Sequence, residues 1–263
     1  MRTNGVSEII SSGGKAINAW VSLDSAYGAE VLSHAGYDSV TVDAQHGMFG
    51  RDTVQKILQA ISTGPAIPMA RPSSMNSAEI GWLLDAGAYG IIAPSIDSPE
   101  LARSFVEACL YPPLGRRSYG PARGLLYGGP DYPEAANQTI MPWAMIESAS
   151  AVEHMEEIMS TPGLYGVYLG PNDLALDLGL KPGGMIGVQV AAIAHTIIER
   201  AHAHGLAAGI FCANAEEARE WALAGFDLVT PGNDVSLLRT SASMRISTVR
   251  ADLGSTVGPG GGY

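Results

Sequence analysis

Lysine is almost missing from this chain: Lys15, Lys56 and Lys181 are the only ones in 263 residues. Lysine and arginine together number 15 against 26 aspartates and glutamates, a formal net charge of -11 with a pI near 4.9. Clustered basic side chains are what neutralise phosphates, so this balance argues against nucleic acid as a partner. Cysteine is equally scarce. Cys109 and Cys212 fit no CxxC or zinc-type spacing, which removes a disulfide framework and a thiolate metal site and suits a reducing, cytoplasmic setting. No apolar stretch approaches the roughly 20 residues of a membrane span, and the opening MRTNGVSEIISSGGK lacks the apolar segment of a secretory leader. A soluble protein without a membrane partner is therefore expected.

What is present is a large apolar fraction, 46%, with only 16% charged residues, enough for one sizeable core. Thirty-two glycines and sixteen prolines are scattered along the chain, as many tight turns between short elements require. Short apolar or β-branched runs recur at Ile17–Leu23, Ser39–Val42, Ala66–Ala70, Gly90–Pro94, Ile140–Ile146, Tyr165–Leu169, Leu206–Phe211 and Phe226–Thr230, and each reads as a strand. Helical periodicity fills the gaps at Tyr27–Ala35, Arg51–Ser62, Asn76–Ala86, Ser98–Leu110, Ala149–Met159, Val188–His204 and Ala215–Ala224. Asp52, Asn76, Ser98 and Asn214 are the candidate caps. Eight strands alternating with helices predict an α/β fold, a (β/α)₈ TIM barrel, as a single domain over residues 1–253. Residues 254–263, GSTVGPGGGY, read as a flexible tail. One segment, YPPLGRRSYGPARGLLYGGPDYP at 111–133, is too long for an ordinary connection and reads as a functional loop or subunit contact.

A barrel of this kind does its chemistry at the carboxyl ends of its strands. The polar residues that follow the expected strands are Asp43, Gln45 and His46; Arg71; Glu147; Asn172 and Asp173; and Asn233 and Asp234. Glu147 and Asp173 follow neighbouring strands and can converge on one point. Taken singly, either carboxylate serves equally well as a cap for the next helix. Together, with no His or Cys adjacent, they suit a hard divalent ion, Mg²⁺ or Mn²⁺, with Co²⁺ also admissible. His46 is the only histidine at a strand end and can move a proton near neutral pH, with Asp43 three residues earlier able to orient it. Arg71 offers a planar fork for a carboxylate. The three lysines lie before the first strand, on a helix and in a loop, which leaves no Schiff-base amine for the pocket. A metal would then have to stabilise an enolate.

The sequence resembles the class II pyruvate aldolases of the HpcH/HpaI family. The pieces that carry the likeness, in order, are W-x-S at Trp20–Ser22, VDAQHG at Val42–Gly47, ARPS at Ala70–Ser73, DAGAYGIIAP at Asp85–Pro94, YPPLGRRSYGPAR at Tyr111–Arg123, MIES at Met145–Ser148 and LGPNDLALDLG at Leu169–Gly179. The resemblance implies reversible cleavage of 4-hydroxy-2-oxo acids to pyruvate, or hydroxypyruvate, and an aldehyde through a metal-stabilised enolate. It implies that Glu147 and Asp173 bind the metal, that Arg71 contacts the 2-oxo acid and that His46 with Asp43 handles protons. Gly170, Pro171, Asn172 and Asp173 would surround the substrate carboxylate, Trp20 would pack at its methyl side, and Gln45 would be a further contact. It also implies a hexamer, a trimer of dimers with an exchanged C-terminal helix, and a neighbouring subunit near Arg123 or Tyr127. Gln45 stands where better-known members carry an acid, and Met145 where they carry Gln, so acceptor choice and metal affinity stay open. The rivals are a related acyl-CoA lyase of the citrate or malyl type and a barrel without catalysis.

Overall fold

The apolar runs become eight strands, each within two residues of its expected bounds: β1 (Ala16–Val21), β2 (Ser39–Asp43), β3 (Ile67–Arg71), β4 (Gly90–Ala93), β5 (Met141–Ile146), β6 (Gly166–Leu169), β7 (Ala207–Cys212) and β8 (Leu228–Pro231). In the computed structural model, which describes residues 1–251, they close into a barrel in sequence order, β1 to β8, every pair parallel. The (β/α)₈ expectation therefore holds. The tail expected at 254–263 lies outside the described residues.

The helices in chain order are α1 (Gly5–Ser11), α2 (Ala26–Ser33), α3 (Arg51–Ile61), α4 (Ser77–Asp85), α5 (Pro99–Cys109), α6 (Ala122–Gly128), α7 (Tyr132–Thr139), α8 (Ala149–Glu153), α9 (Met155–Met159), α10 (Pro171–Asp177), α11 (Val188–Ala203), α12 (Ala215–Ala224) and α13 (Asp234–Ala251). Asn76, Ser98 and Asn214 cap α4, α5 and α12 as expected, each side chain accepting a first-turn N–H. Asp52 does not cap: Gly50 holds that position, and Asp52 sits in the first turn of α3, where its charge meets the positive end of the helix dipole. The single helix expected over Ala149–Met159 is two, broken at His154, whose Nδ1 lies 2.9 Å from the Ser150 carbonyl oxygen. Residues 111–133 are not one open loop, because α6 and the start of α7 fall within them. Buried Arg117 organises the segment, donating to Tyr132 Oη at 2.9 Å and to Asp85 at 2.7 Å. Arg123 donates to the Ala86 carbonyl and to Ser62 Oγ and faces the buried Tyr127 ring at 5.7 Å, so both are engaged within their own chain.

Aromatic side chains fill the barrel interior because glycines on the adjoining strands make room. A Cβ on Gly166 would lie 2.6 Å from the Trp143 ring, and one on Gly209 would lie 2.5 Å from the Tyr168 ring. Beneath Tyr168 runs a fully buried polar chain. Tyr168 Oη is 2.6 Å from Thr230 Oγ1, Asn18 Nδ2 donates to Thr230 Oγ1, and Ser39 and Thr41 hydroxyls donate to Asn18 Oδ1. Every member is paired, which removes the penalty of burying it.

At the N-terminal end of the strands Asp227 ties four elements together. Its Oδ1 accepts from Lys15, and its Oδ2 from the β7 amide of Ala208 and lies 2.9 Å from His202 Nε2 on α11. Burial pushes this carboxyl up, but the hydrogen bonds from Lys15, Ala208 and His202 outweigh burial and hold it below the ordinary value. A lowered carboxyl pKa stabilises the fold at pH values above the unfolded value near 3.9, and that contribution is lost as pH falls through the folded value. Asp227→Asn is expected to lower the unfolding free energy by about 1–3 kcal/mol at pH 7. The gap between variant and wild type should shrink below about pH 4. Urea unfolding at the two pH values measures both, and equal gaps would refute the account.

α13 departs from this pattern. None of its 18 residues is buried, and Leu238, Met244 and Val249 are all more than 60% exposed. Its anchor is Asp234, whose carboxylate accepts the backbone N–H groups of Ser22 and Leu23 beyond β1. Among the described residues, no helix is long and apolar enough to cross a membrane.

Candidate active site

The parallel register of β2 and β3 places Asp43 directly beside Arg71 as their last pair. The guanidinium closes on the carboxylate with two parallel bonds, Nε to Oδ1 at 2.8 Å and Nη2 to Oδ2 at 2.6 Å, the geometry in which such pairs are strongest. Both are buried, Asp43 at 2% and Arg71 at 7% exposure. Asp43 does more than hold the arginine. Oδ2 also accepts Trp20 Nε1, and Oδ1 also accepts the backbone N–H groups of Gln45 and His46. Burial pushes this carboxyl up, and the Arg71 hydrogen bonds and charge, with those from Trp20 and His46, more than reverse it. Asp43 thus meets the His46 backbone, whereas the sequence reading has it orienting the imidazole. The turn carrying His46 also needs glycine at Gly47, where a Cβ would strike the Asp43 carbonyl oxygen.

Glu147 and Gly170 follow the last register pair of β5 and β6, Ile146 and Leu169, and Gly170 N–H donates to the Ile146 carbonyl. A Cβ on Gly170 would lie 2.8 Å from Glu147 Oε2, so only glycine lets the carboxylate occupy this position. Glu147 Oε1 accepts the Ser95 N–H at 2.6 Å, from a turn in which Ser95 takes φ 55°. That left-handed backbone is uncommon for a residue with a side chain and marks a turn whose shape is imposed by its surroundings. Burial raises the Glu147 carboxyl, and the charges of Asp173 and Asp97 raise it further against the opposing Ser95 amide and Arg71. Asp173 lies in the first turn of α10.

These residues line two adjoining cavities. The larger, about 510 Å³, has an apolar wall of Trp20, Met145, Tyr168 and Phe211 and contains Arg71, Asp43 and the Gly170–Asp173 turn. The Trp20 ring meets Phe211 edge-on at 5.5 Å and carries the Arg71 guanidinium on its face at 4.9 Å. The second, about 450 Å³, holds Glu147, Gln45, Ser95, Asp97, Ser148 and Asp177. His46 and Asp173 line both. Every residue that the sequence reading assigns to the site thus lies at one mouth. Asn172 turns partly away, its Oδ1 accepting the Gly183 N–H of the following loop. Asn233 lines the larger cavity, whereas Asp234 binds backbone.

Tyr168, Phe211, Ser95, Asp97 and Asp177 are among the lining residues that sequence reasoning missed, as is Asp24. Ser95 and Asp97 had a signal, since they follow β4 just as Gln45 and His46 follow β2. Tyr168 and Phe211 lie within strands, where only the barrel's curvature decides which side chains reach the mouth.

The donor set suits a hard divalent ion. Glu147 and Asp173 line one cavity and repel each other, the Arg71 charge opposes that repulsion only in part because burial and the neighbouring carboxylates still leave Glu147 raised, and oxygen ligands match Mg²⁺ or Mn²⁺. Among the described residues no group of three or more His, Cys, Asp or Glu could hold a metal by itself. That is the pattern of magnesium sites, which use one or two carboxylates and leave the other positions to water and substrate oxygens.

Known proteins of similar sequence and fold give the chain its family. A hydroxypyruvate/pyruvate aldolase of Rhizorhabdus wittichii is 40% identical over 243 residues, covering 91% of this chain and 96% of the relative. A 4-hydroxy-2-oxo-heptane-1,7-dioate aldolase of Klebsiella pneumoniae is 34% identical, covering 91% of each. The crystal structure of an HpcH/HpaI aldolase/citrate lyase family protein from Burkholderia cenocepacia superposes with a TM-score of 0.87 at 31% identity, over 94% of this chain and all of that one. The family model described as HpcH/HpaI aldolase/citrate lyase matches residues 17–241, and the chain belongs to that family.

Proposed function

We propose that this protein is a divalent-metal-dependent aldolase that reversibly cleaves 4-hydroxy-2-oxo acids to pyruvate or hydroxypyruvate and an aldehyde. The observation that carries the reading is that Glu147 and Asp173 line one cavity, and that Asp173 also lines the adjoining cavity, which holds an arginine locked in place by Asp43. Glu147 and Asp173 would hold the metal. When bound there, a divalent cation supplies Lewis acidity toward the carboxylate and oxo oxygens of the 2-oxo acid and lowers the pKa of its C3 hydrogens.

The remaining chemistry falls to the chain. Two guanidinium nitrogens of Arg71 are fixed on Asp43, which leaves Nη1 to donate to the oxo oxygen as charge builds there. Because the clamp already sets its direction, little reorganisation accompanies the reaction. The Gly170–Asp173 turn, with Pro171 and Asn172, frames the donor carboxylate, while Trp20, Met145 and Phe211 give its C3 end an apolar wall. Gln45 is a contact on the acceptor side. His46, exposed and shared by both cavities, delivers a proton to the aldehyde oxygen as the carbon bond forms and removes it from the hydroxyl in cleavage. α13, with no buried residue, supports a homo-oligomer in which this helix is exchanged between copies, as in the hexamer expected from the family.

The test is loss of the pyruvate methyl signal in D₂O by proton NMR, with enzyme stripped by EDTA and then resupplied with Mg²⁺, Mn²⁺ or Co²⁺. Exchange is expected to fall to background on stripping and to return with metal. Exchange that continues unchanged in EDTA would overturn the reading.

A further inference from the structure

The two cavities are unequal in charge. In the larger one Arg71 and Asp43 cancel, and a divalent ion on Glu147 and Asp173 would offset those two carboxylates. Among the described residues that line the second cavity there is no Lys or Arg to offset the other carboxylates. Asp97 and Asp177 line the second cavity and Asp24 the rim of the first. Their places are built rather than incidental. Asp97 Oδ1 accepts the hydroxyl of Ser148, the cap of α8, and Asp177 Oδ2 accepts the Ala149 N–H at 2.7 Å, so both carboxylates are pinned around the start of one helix. In the same cavity Gln45 Oε1 is buried without a hydrogen-bond partner, an acceptor oxygen that a hydroxyl can satisfy and an anionic oxygen cannot. The donor's own carboxylate adds one more negative charge before the aldehyde arrives.

Resting on the aldolase reading above, we propose that the second cavity receives the acceptor aldehyde and selects uncharged aldehydes, with Asp97 and Asp177 turning away carboxylated or phosphorylated ones. Like charges set face to face exclude a wrong partner more effectively than they strengthen a right one. The acceptor of this chain would accordingly differ in charge from the semialdehyde that a heptane-1,7-dioate substrate releases.

The experiment compares kcat/KM for pyruvate addition to two matched pairs, butanal with succinic semialdehyde and glyceraldehyde with glyceraldehyde 3-phosphate, using the full chain supplied with Mg²⁺. The uncharged member of each pair is expected to be preferred by roughly tenfold or more, as like-charge juxtaposition implies. The preference should shrink several-fold in Asp97→Asn and in Asp177→Asn. It should also shrink as salt rises from about 0.1 to 1 M and the Debye length falls from about 10 to 3 Å. A ratio is read, so a general loss of activity in a variant cancels, and a merely structural role would leave both the ratio and its salt dependence in place. Equal or better use of the charged aldehydes, or a preference unmoved in both variants, overturns the proposal. Pyruvate methyl exchange in the same samples separates the two ideas: if it persists, only the acceptor assignment has failed, and if it is absent with metal supplied, the aldolase reading falls with it.

Discussion

Asp173→Ala is expected to reduce metal-dependent pyruvate methyl exchange by about a thousandfold or more, the scale on which removal of a preorganised electrostatic element lowers turnover. The fold should survive. Asp173 is exposed, in the first turn of the seven-residue helix α10, and its loss leaves no buried group unpaired, so the melting temperature should stay within a few degrees. The repulsion it exerts on Glu147 also disappears, which separates two accounts of these carboxylates. If they matter only as caps, the variant loses stability and keeps exchange; if they form a cation site, it keeps stability and loses exchange. Mn²⁺ binding followed by electron paramagnetic resonance gives a second readout, with the protein-bound signal expected to vanish. Exchange within about threefold of wild type would rule out Asp173 as a metal ligand.

Arg71→Ala should act in the opposite way, on folding and turnover together. Removing the guanidinium strands the Asp43 carboxylate at 2% exposure, and breaking one side of a buried ion pair typically costs about 3–5 kcal/mol. Taking away both partners relieves the stranded charge, so the double variant Asp43→Ala/Arg71→Ala is expected to be more stable than Arg71→Ala alone while remaining inactive. Arg71→Lys retains a positive charge but cannot reproduce the two parallel bonds, and a loss of roughly a hundredfold in kcat/KM is expected from a misplaced cation. Urea titrations of the three variants, beside their kinetics, decide the matter. A double variant no more stable than Arg71→Ala would mean that the clamp is not what fixes this corner of the barrel.

Much of this was legible in the sequence because barrels write their elements locally. Alternating apolar runs and periodic segments gave every strand, and the rule that chemistry follows strand ends brought out Asp43, His46, Arg71, Glu147 and Asp173. Relations between strands were not legible. That Asp43 stands opposite Arg71 depends on the register of β2 against β3, which no local pattern encodes. Its contact with the His46 backbone depends on a turn that only three-dimensional closure reveals. Ser95 had only its place after β4 to mark it: its role is carried by a main-chain N–H, and a backbone donor has no side-chain signature. Periodicity did not mark α13, a C-terminal helix that only the family resemblance implied, because its apolar residues do not gather on one buried face.

Gly209 carries a consequence of its own. Its missing side chain is the space into which the Tyr168 ring settles, and that ring is part of the apolar wall of the larger cavity. A single methyl on the inner face of β7 would displace the ring that walls the chamber without itself lining it. The shape of the chamber thus depends on a residue behind its wall, and a pocket made deeper or shallower would be tuned from there.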